Sequence, residues 1–275
     1  MTGISKGPLW VVCLILAGLG CDAPNQKEAD DQPRNIEVLF LGHDSEHHNS
    51  AAYAPILSAA LAGDGINFSY SEDPGDLNRE KLKGYDALLL YANHDKISNS
   101  QEQALLEFVA NGNGFLPIHS ASFCFRNSED FVDLVGAQFE EHGTGTFTAT
   151  IVNSNHPVME GLEEFETWDE TYVHSRHNDD NRTVLMEREG EDHTEPWTWV
   201  RTHGEGRVFY TAYGHDERTW TKPGFQELVK NGIVWSVSDQ VRKNWEAFAS
   251  ALPELQYEDR DNIPNYEERD PPPRF

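Results

Sequence analysis

Positive charge is scarce in this chain. It carries 21 Lys and Arg against 47 Asp and Glu, a formal net charge of −26 over 275 residues. A nucleic-acid binder needs a cationic footprint on phosphates, and this balance argues against one. It equally disfavours docking onto anionic lipid. Cysteine is also scarce, with only Cys13, Cys21 and Cys124. Several catalytic signatures are missing. There is no G-x-S-x-G elbow, no G-x-x-x-x-G-K-[ST] phosphate loop and no HExxH pair. Gly112-Asn113-Gly114 reads as a helix–strand turn. What remains is a folded protein, since 38% of residues are hydrophobic and 11% aromatic, too many for wholesale disorder.

Apolar runs long enough for a convincing membrane span are absent too. The run at Pro8–Leu19 follows a single base, Lys6. It is too short for a convincing membrane span and reads as the core of a secretory signal. It leads into Leu19-Gly20-Cys21, which resembles a bacterial lipoprotein signal with Cys21 as the acylated terminus. A plain cleaved signal or an uncleaved anchor is the alternative. The expected location is the periplasm or cell envelope, with membrane attachment only through that lipid. Cys124 is then the one cysteine in the folded body, so no internal disulfide is expected. Flanked by Phe123 and Phe125, it reads as a buried, inert thiol.

The expected organisation is a signal over 1–21, a polar tether over 22–35, one domain over 36–250 and an acidic, proline-rich tail over 251–275. Within the domain, strands are predicted at 36–41, 66–71, 86–91 and 114–118. They alternate with helices at 50–62 and 98–111. That alternation implies right-handed crossovers and a parallel sheet covered on both faces. A short helix at 129–135 and a half-exposed strand at 144–152 follow. Residues 153–182 read as loop-rich. Strands at 183–187, 197–202 and 207–213 and helices at 225–237 and 240–249 complete the pattern.

Four predicted strands run into histidines: VLFLGH (His43), LLLYANH (His94), GFLPIH (His119) and RVFYTAYGH (His215). Ligand crevices form at the carboxyl ends of strands in open α/β sheets, so these histidines are candidates for one site. Histidine there can exchange protons near neutral pH, ligate a metal or hydrogen-bond a sugar. Singly, each could equally cap a loop. Trp168-Asp169-Glu170-Thr171-Tyr172 could add a carboxylate and a stacking ring, or be an ordinary acidic loop. Trp197, Trp199 and Trp220 could line a pocket, although the first two alternate on one strand, which suits core packing. Asp44-Ser45-Glu46-His47-His48-Asn49 has the residue types of a metal site without its usual spacing. A divalent metal, zinc or a similar histidine-preferring ion, is therefore an open expectation.

The segments GNGFLPIHSAS, HPVMEGLEEFETWDETYVH, EPWTWVRTHGEGRVFYTAYGH and FQELVKNGIVWSV resemble the ThuA-like (trehalose-utilisation) family from about Ile36 to Ser238. The resemblance implies a flavodoxin-like, class I glutamine amidotransferase-like α/β three-layer sandwich with a mainly parallel sheet. In that superfamily a nucleophilic cysteine sits in a sharp turn after a strand. Here the matching segment carries His119, which argues against glutamine hydrolysis. The resemblance further implies carbohydrate catabolism, including processing of 3-keto-glycosides, with His119, Asp169, Glu170, Tyr172 and His215 at recurrent positions. The tail is similar to linkers leading to a sugar-dehydrogenase-like propeller and a cytochrome, which suggests such partners.

The combined expectation is a secreted domain acting on a carbohydrate or keto-sugar. His119, His215, Glu170 and Asp169 are the catalytic candidates, and His43, His94, Tyr172 and Trp197 contact substrate. His119 or His215 would be the base. The alternative is a non-catalytic carbohydrate-binding or scaffold module. Convergence of His43, His119, Glu170 and His215 on one pocket would favour an enzyme, and side chains pointing apart would favour the module.

Overall fold

Buried apolar strands and capped helices follow one another along most of the chain. They are seen in a computed structural model that describes residues 32–45, 47–190 and 193–252. The signal with Cys21, nearly all of the tether and the tail beyond Leu252 lie outside the described residues. The elements are β1 (Ile36–Leu41), α1 (Ser50–Leu61), β2 (Ile66–Ser71), α2 (Arg79–Leu82), β3 (Ala87–Leu90), α3 (Asn99–Ala110), β4 (Gly114–Pro117), α4 (Glu129–Val135) and β5 (Gln138–Thr148). There follow β6 (Thr150–Ile151), β7 (Glu166–Ser175), β8 (Arg182–Glu189), β9 (Thr194–His203), β10 (Gly206–Thr211), α5 (Glu217–Trp220), α6 (Pro223–Ser236) and α7 (Asp239–Ala249).

Eight strands form the central sheet in the order β2-β1-β3-β4-β10-β9-β8-β6. The first five are mutually parallel, and the last three run antiparallel to their neighbours. Strands buried on both faces read as unbroken apolar runs. That is the case for Ala87–Leu90, every residue of which is fully buried. The helices form two contacting groups: α1 with α5 and α6, and α2 with α3 and α4. This three-layer arrangement is the flavodoxin-like sandwich expected from the sequence.

Local signals explain the helix ends. Ser98 and Gln101 form a reciprocal capping box at the start of α3, satisfying donors that a helix leaves orphaned. Ser128 caps α4, and Gly136 closes it in the left-handed conformation. α1 stops one residue before the expected end. A 3-10 turn over Ala62–Asp64 then carries the chain to Gly65, which takes the left-handed conformation in place of Gly63.

The larger departure lies in the middle. Residues 153–182, read as loop-rich, contain β7, which pairs antiparallel with a β5 that starts six residues earlier than expected. These two strands form their own sheet. The period of β7 is masked because both faces are covered. Thr167 and Asp169 are buried on one side, and Glu170, Tyr172 and His174 on the other. Polar residues on two buried faces leave no apolar alternation to detect.

Candidate functional site

His43, His94, His119 and His215 follow β1, β3, β4 and β10. These four strands are adjacent and parallel, so their carboxyl ends share one edge. The side chains nevertheless separate into two groups. His119 and His215 gather with His48 and Glu170, and one ligand atom from each lies within 4.8 Å of all the others. His43 and His94 stack on each other with ring centroids 4.0 Å apart. His43 Nδ1 is 2.7 Å from Asn93 Oδ1.

His119 leaves β4 with φ +46°, a strained value for a residue other than glycine. A 3-10 turn over His119–Phe123 follows. Its Nδ1 lies 2.7 Å from the Ala212 carbonyl. A carbonyl only accepts, so Nδ1 carries the hydrogen, and in the neutral ring Nε2 presents its lone pair. That lone pair faces Glu170 Oε2 at 3.2 Å. Two acceptors so placed repel unless a proton or a metal cation joins them. A ligating histidine commonly anchors its other nitrogen on a carbonyl in this way.

Glu170 is delivered by β7. Its Oε1 is 3.2 Å from His215 Nδ1, at ion-pair distance but off the hydrogen-bond line, and 3.5 Å from His142 Nδ1. Burial alone would raise its pKa. The hydrogen bond from His119 and the nearby charges of His119 and His215 override burial and hold the carboxyl well below its usual range. His215 is lifted above the ordinary histidine value despite burial, because Glu170 faces it. His48 is the opposite case. Burial, followed by the charge of His119, pushes it down to about 2. It is therefore a neutral ring, and both its nitrogens are buried without a partner.

Three imidazoles and a carboxylate are a donor set suited to zinc and similar ions. The unpartnered ring of His48, which offers one nitrogen, and the fixed tautomer of His119 both fit a cation at the centre of the four donors. The group could therefore hold a metal.

Asp169 does not face this centre. It is fully buried. One oxygen accepts from Glu170 N and His215 N (2.8 and 3.1 Å), the other from Gly214 N and Thr219 Oγ1 (2.9 and 2.7 Å). Burial raises its pKa in spite of these donors. With both oxygens committed, Asp169, one of the catalytic candidates, braces the His215 turn and is not one of the four clustered donors. Gly214 in that turn has φ +132° and packs where a Cβ would crowd Ile118 and His119, so only glycine fits.

Beside the cluster lies a cavity of about 370 Å³. His48, Asn93, Ser120, His142, Glu170 and Tyr172 are among its lining residues. Tyr172 is stacked on His119 with centroids 4.1 Å apart. The Ser120 hydroxyl is buried and unpartnered. Trp197 is elsewhere. It is fully buried against Phe147 and Tyr213, with Arg188 over its ring. It packs in the core and is not among the residues lining the cavity, as its alternation with Trp199 also allowed. His94 packs between His43 and Phe125 and does not line the cavity. His43 is not among the residues lining the cavity, whereas its partner Asn93 is. A larger depression of about 690 Å³, bordered by Arg207, Trp235 and Arg242, contains none of the histidines.

Cys124 is fully buried, and its thiol donates to the Ala92 carbonyl. Burial raises its pKa, so it offers no thiolate. His48, His142 and Ser120 were not among the sequence candidates. The metal-like residue types at Asp44–Asn49 were the one signal for His48.

A sequence model described as "ThuA: Trehalose utilisation" matches residues 37–236. No curated protein matches the chain. Among solved structures it resembles a ThuA-like protein from Bacteroides uniformis, at TM-score 0.64 and 19% identity, over 74% of this chain and 91% of that one. A ThuA-like protein from Parabacteroides merdae aligns at TM-score 0.63 and 18% identity, over 74% and 90%. A β-galactosidase from Bacillus circulans sp. alkalophilus aligns at TM-score 0.52 and 13% identity, over 73% of this chain but 31% of that one. These likenesses show a shared fold.

Proposed function

The chain belongs to the ThuA family, described as trehalose utilisation, and from that premise we propose that it processes a sugar in the cavity beside a divalent cation held by His48, His119, Glu170 and His215. The observation that carries the reading is His48, a neutral buried ring with both nitrogens unpartnered inside a cluster of three other donors. A cavity of 370 Å³ is at the lower end of small-molecule sites and suits one or two sugar rings. Ser120 supplies a hydroxyl for a sugar oxygen, and Phe123, Phe139 and Tyr172 supply apolar surface.

The reaction that fits is cleavage of a 3-keto-glycoside. The cation, when bound, polarises the ketone. The bond from C2 to hydrogen breaks first, and its electron pair enters the enolate. The enolate then restores the ketone, forms the C1–C2 double bond and expels the glycosidic oxygen, which takes a proton. Water adds back across that double bond, with hydroxyl at C1 and hydrogen at C2. The sum is hydrolysis with no change of oxidation state. An imidazole whose lone pair holds a cation cannot accept a proton, so His119 and His215 are poor bases in the loaded protein. His142 is the available one. It lines the cavity, touches Glu170 and lies outside the donor set. On this reading the protein works in the cell envelope, anchored through Cys21, where a sugar dehydrogenase supplies the ketone.

The test is metal analysis of the purified full chain, with turnover of 3-keto-disaccharides before and after chelation. We expect about one divalent ion per chain, turnover lost on chelation, and a His142→Gln variant that keeps the metal without turnover. Metal binding with no turnover of any 3-keto-disaccharide would sink the hydrolase reading.

A further inference from the structure

A second group of buried polar residues lies directly behind His119 and has no part in the chemistry above. Glu195 and His174 are almost completely buried. Glu195 Oε1 accepts from the His174 backbone N–H at 3.1 Å and sits 2.8 Å from its Nδ1. An ionised carboxylate only accepts, so Nδ1 carries the ring hydrogen and Nε2 is left as an acceptor. Tyr210 Oη is 2.9 Å from that Nε2. It is also 3.0 Å from Ser122 Oγ and 3.2 Å from the His119 carbonyl. Ser122 Oγ is 3.1 Å from the same carbonyl.

Counting protons decides the arrangement. Tyr210 has one hydroxyl hydrogen and three neighbours that could receive it. With Nδ1 committed to Glu195, the His174 Nε2 takes it. The Ser122 hydroxyl is then the donor left for the His119 carbonyl. That carbonyl belongs to the residue with φ +46°, which its surroundings must over-determine to persist. The same residue is anchored from the other side by Nδ1 on the Ala212 carbonyl. A buried Glu–His pair is a weak source of stability, because an apolar pair of similar volume commonly serves as well. Its value lies in specifying one arrangement.

We propose that Glu195, His174, Tyr210 and Ser122 are positioning residues that lock the His119 backbone and aim its Nε2 at the cation. This rests on the cation reading above. Glu195 fixes the His174 tautomer, and that tautomer fixes the Tyr210 hydroxyl. Tyr210 in turn frees Ser122 for the His119 carbonyl. None of the four belongs to the donor set.

The test compares the full chain with Tyr210→Phe, Ser122→Ala and Glu195→Gln variants, using zinc in chelator competition and cobalt(II) as a visible probe. Residues that orient a ligand typically tune affinity about 10- to 100-fold. We expect a loss of that size in each variant, with altered cobalt absorption bands reporting a displaced nitrogen donor. Wild-type affinity and an unchanged cobalt spectrum in folded Tyr210→Phe and Ser122→Ala would overturn the proposal. If the wild-type protein takes up no metal, the cation reading fails by itself. The positioning role is then read from the His119 ring nitrogens by NMR in metal-free protein. Shifts that move in Ser122→Ala and Tyr210→Phe support it, and identical shifts refute it.

Discussion

Replacing His48 with leucine is expected to stabilise the metal-free protein and abolish its stabilisation by metal. The reasoning starts from two ring nitrogens that are buried with no partner. A buried polar group left unsatisfied costs about 1–3 kcal/mol. Leucine has similar bulk and no polar atoms, and it would sit against the rings of Tyr91, His119 and His215, which now surround His48. Relief of about 2 kcal/mol corresponds to a rise in Tm of roughly 4–8 °C for a domain of this size. Zinc at about a thousand times its Kd should add ~4 kcal/mol to the wild-type protein, or roughly 8–16 °C, and nearly nothing to the variant. Thermal unfolding by circular dichroism, with chelator and with zinc, reads both effects. A residue that merely packs would show the reverse: a lower metal-free Tm and an unchanged response to zinc. That outcome would refute the assignment of His48 as a ligand.

The same residue sets a pH dependence. Its folded pKa is lowered to about 2, against about 6.5 in an unfolded chain. Below pH 6.5 the unfolded state binds a proton that the folded state does not, so stability falls as pH falls, by about 1.4 kcal/mol per unit. Urea unfolding of chelated protein at pH 7 and pH 5 should show the wild type losing ~2 kcal/mol more than His48→Leu; equal losses would contradict the burial argument. Ser120→Ala should weaken sugar binding about 2- to 12-fold, the worth of one hydrogen bond, and leave the metal content unchanged. Calorimetry with a 3-keto-disaccharide measures this, and an unaltered Kd would remove Ser120 from the substrate site. Trp197→Phe should cost about 1–3 kcal/mol from the space left in the core without changing sugar affinity. A lost affinity at full stability would return Trp197 to the site.

How much was legible along the chain varied with the kind of signal. The strands before His43, His94, His119 and His215 announced themselves, because fully buried strands are short apolar runs. The helix predicted over 98–111 needed only the residues at its ends, and Ser98 caps it. Such features are local, and sequence alone determined them, together with the family resemblance, which the matched sequence model supports. The shared edge also followed, because adjacent parallel strands end on the same side.

The composition of the site was decided only by tertiary structure. Glu170 reaches His119 across 51 residues of sequence, on a strand whose two buried polar faces gave no period to read. His48 comes from a loop where only residue type hinted at a ligand. His94 and Trp197 had suitable chemistry, but one stacks between rings and the other is sealed in the core. Asp169 and Glu170 are neighbours in sequence with opposite duties, because successive residues of a strand point to opposite faces. Which of two adjacent carboxylates meets the histidines depends on how β7 lies over the sheet edge, and that is fixed by packing between distant segments.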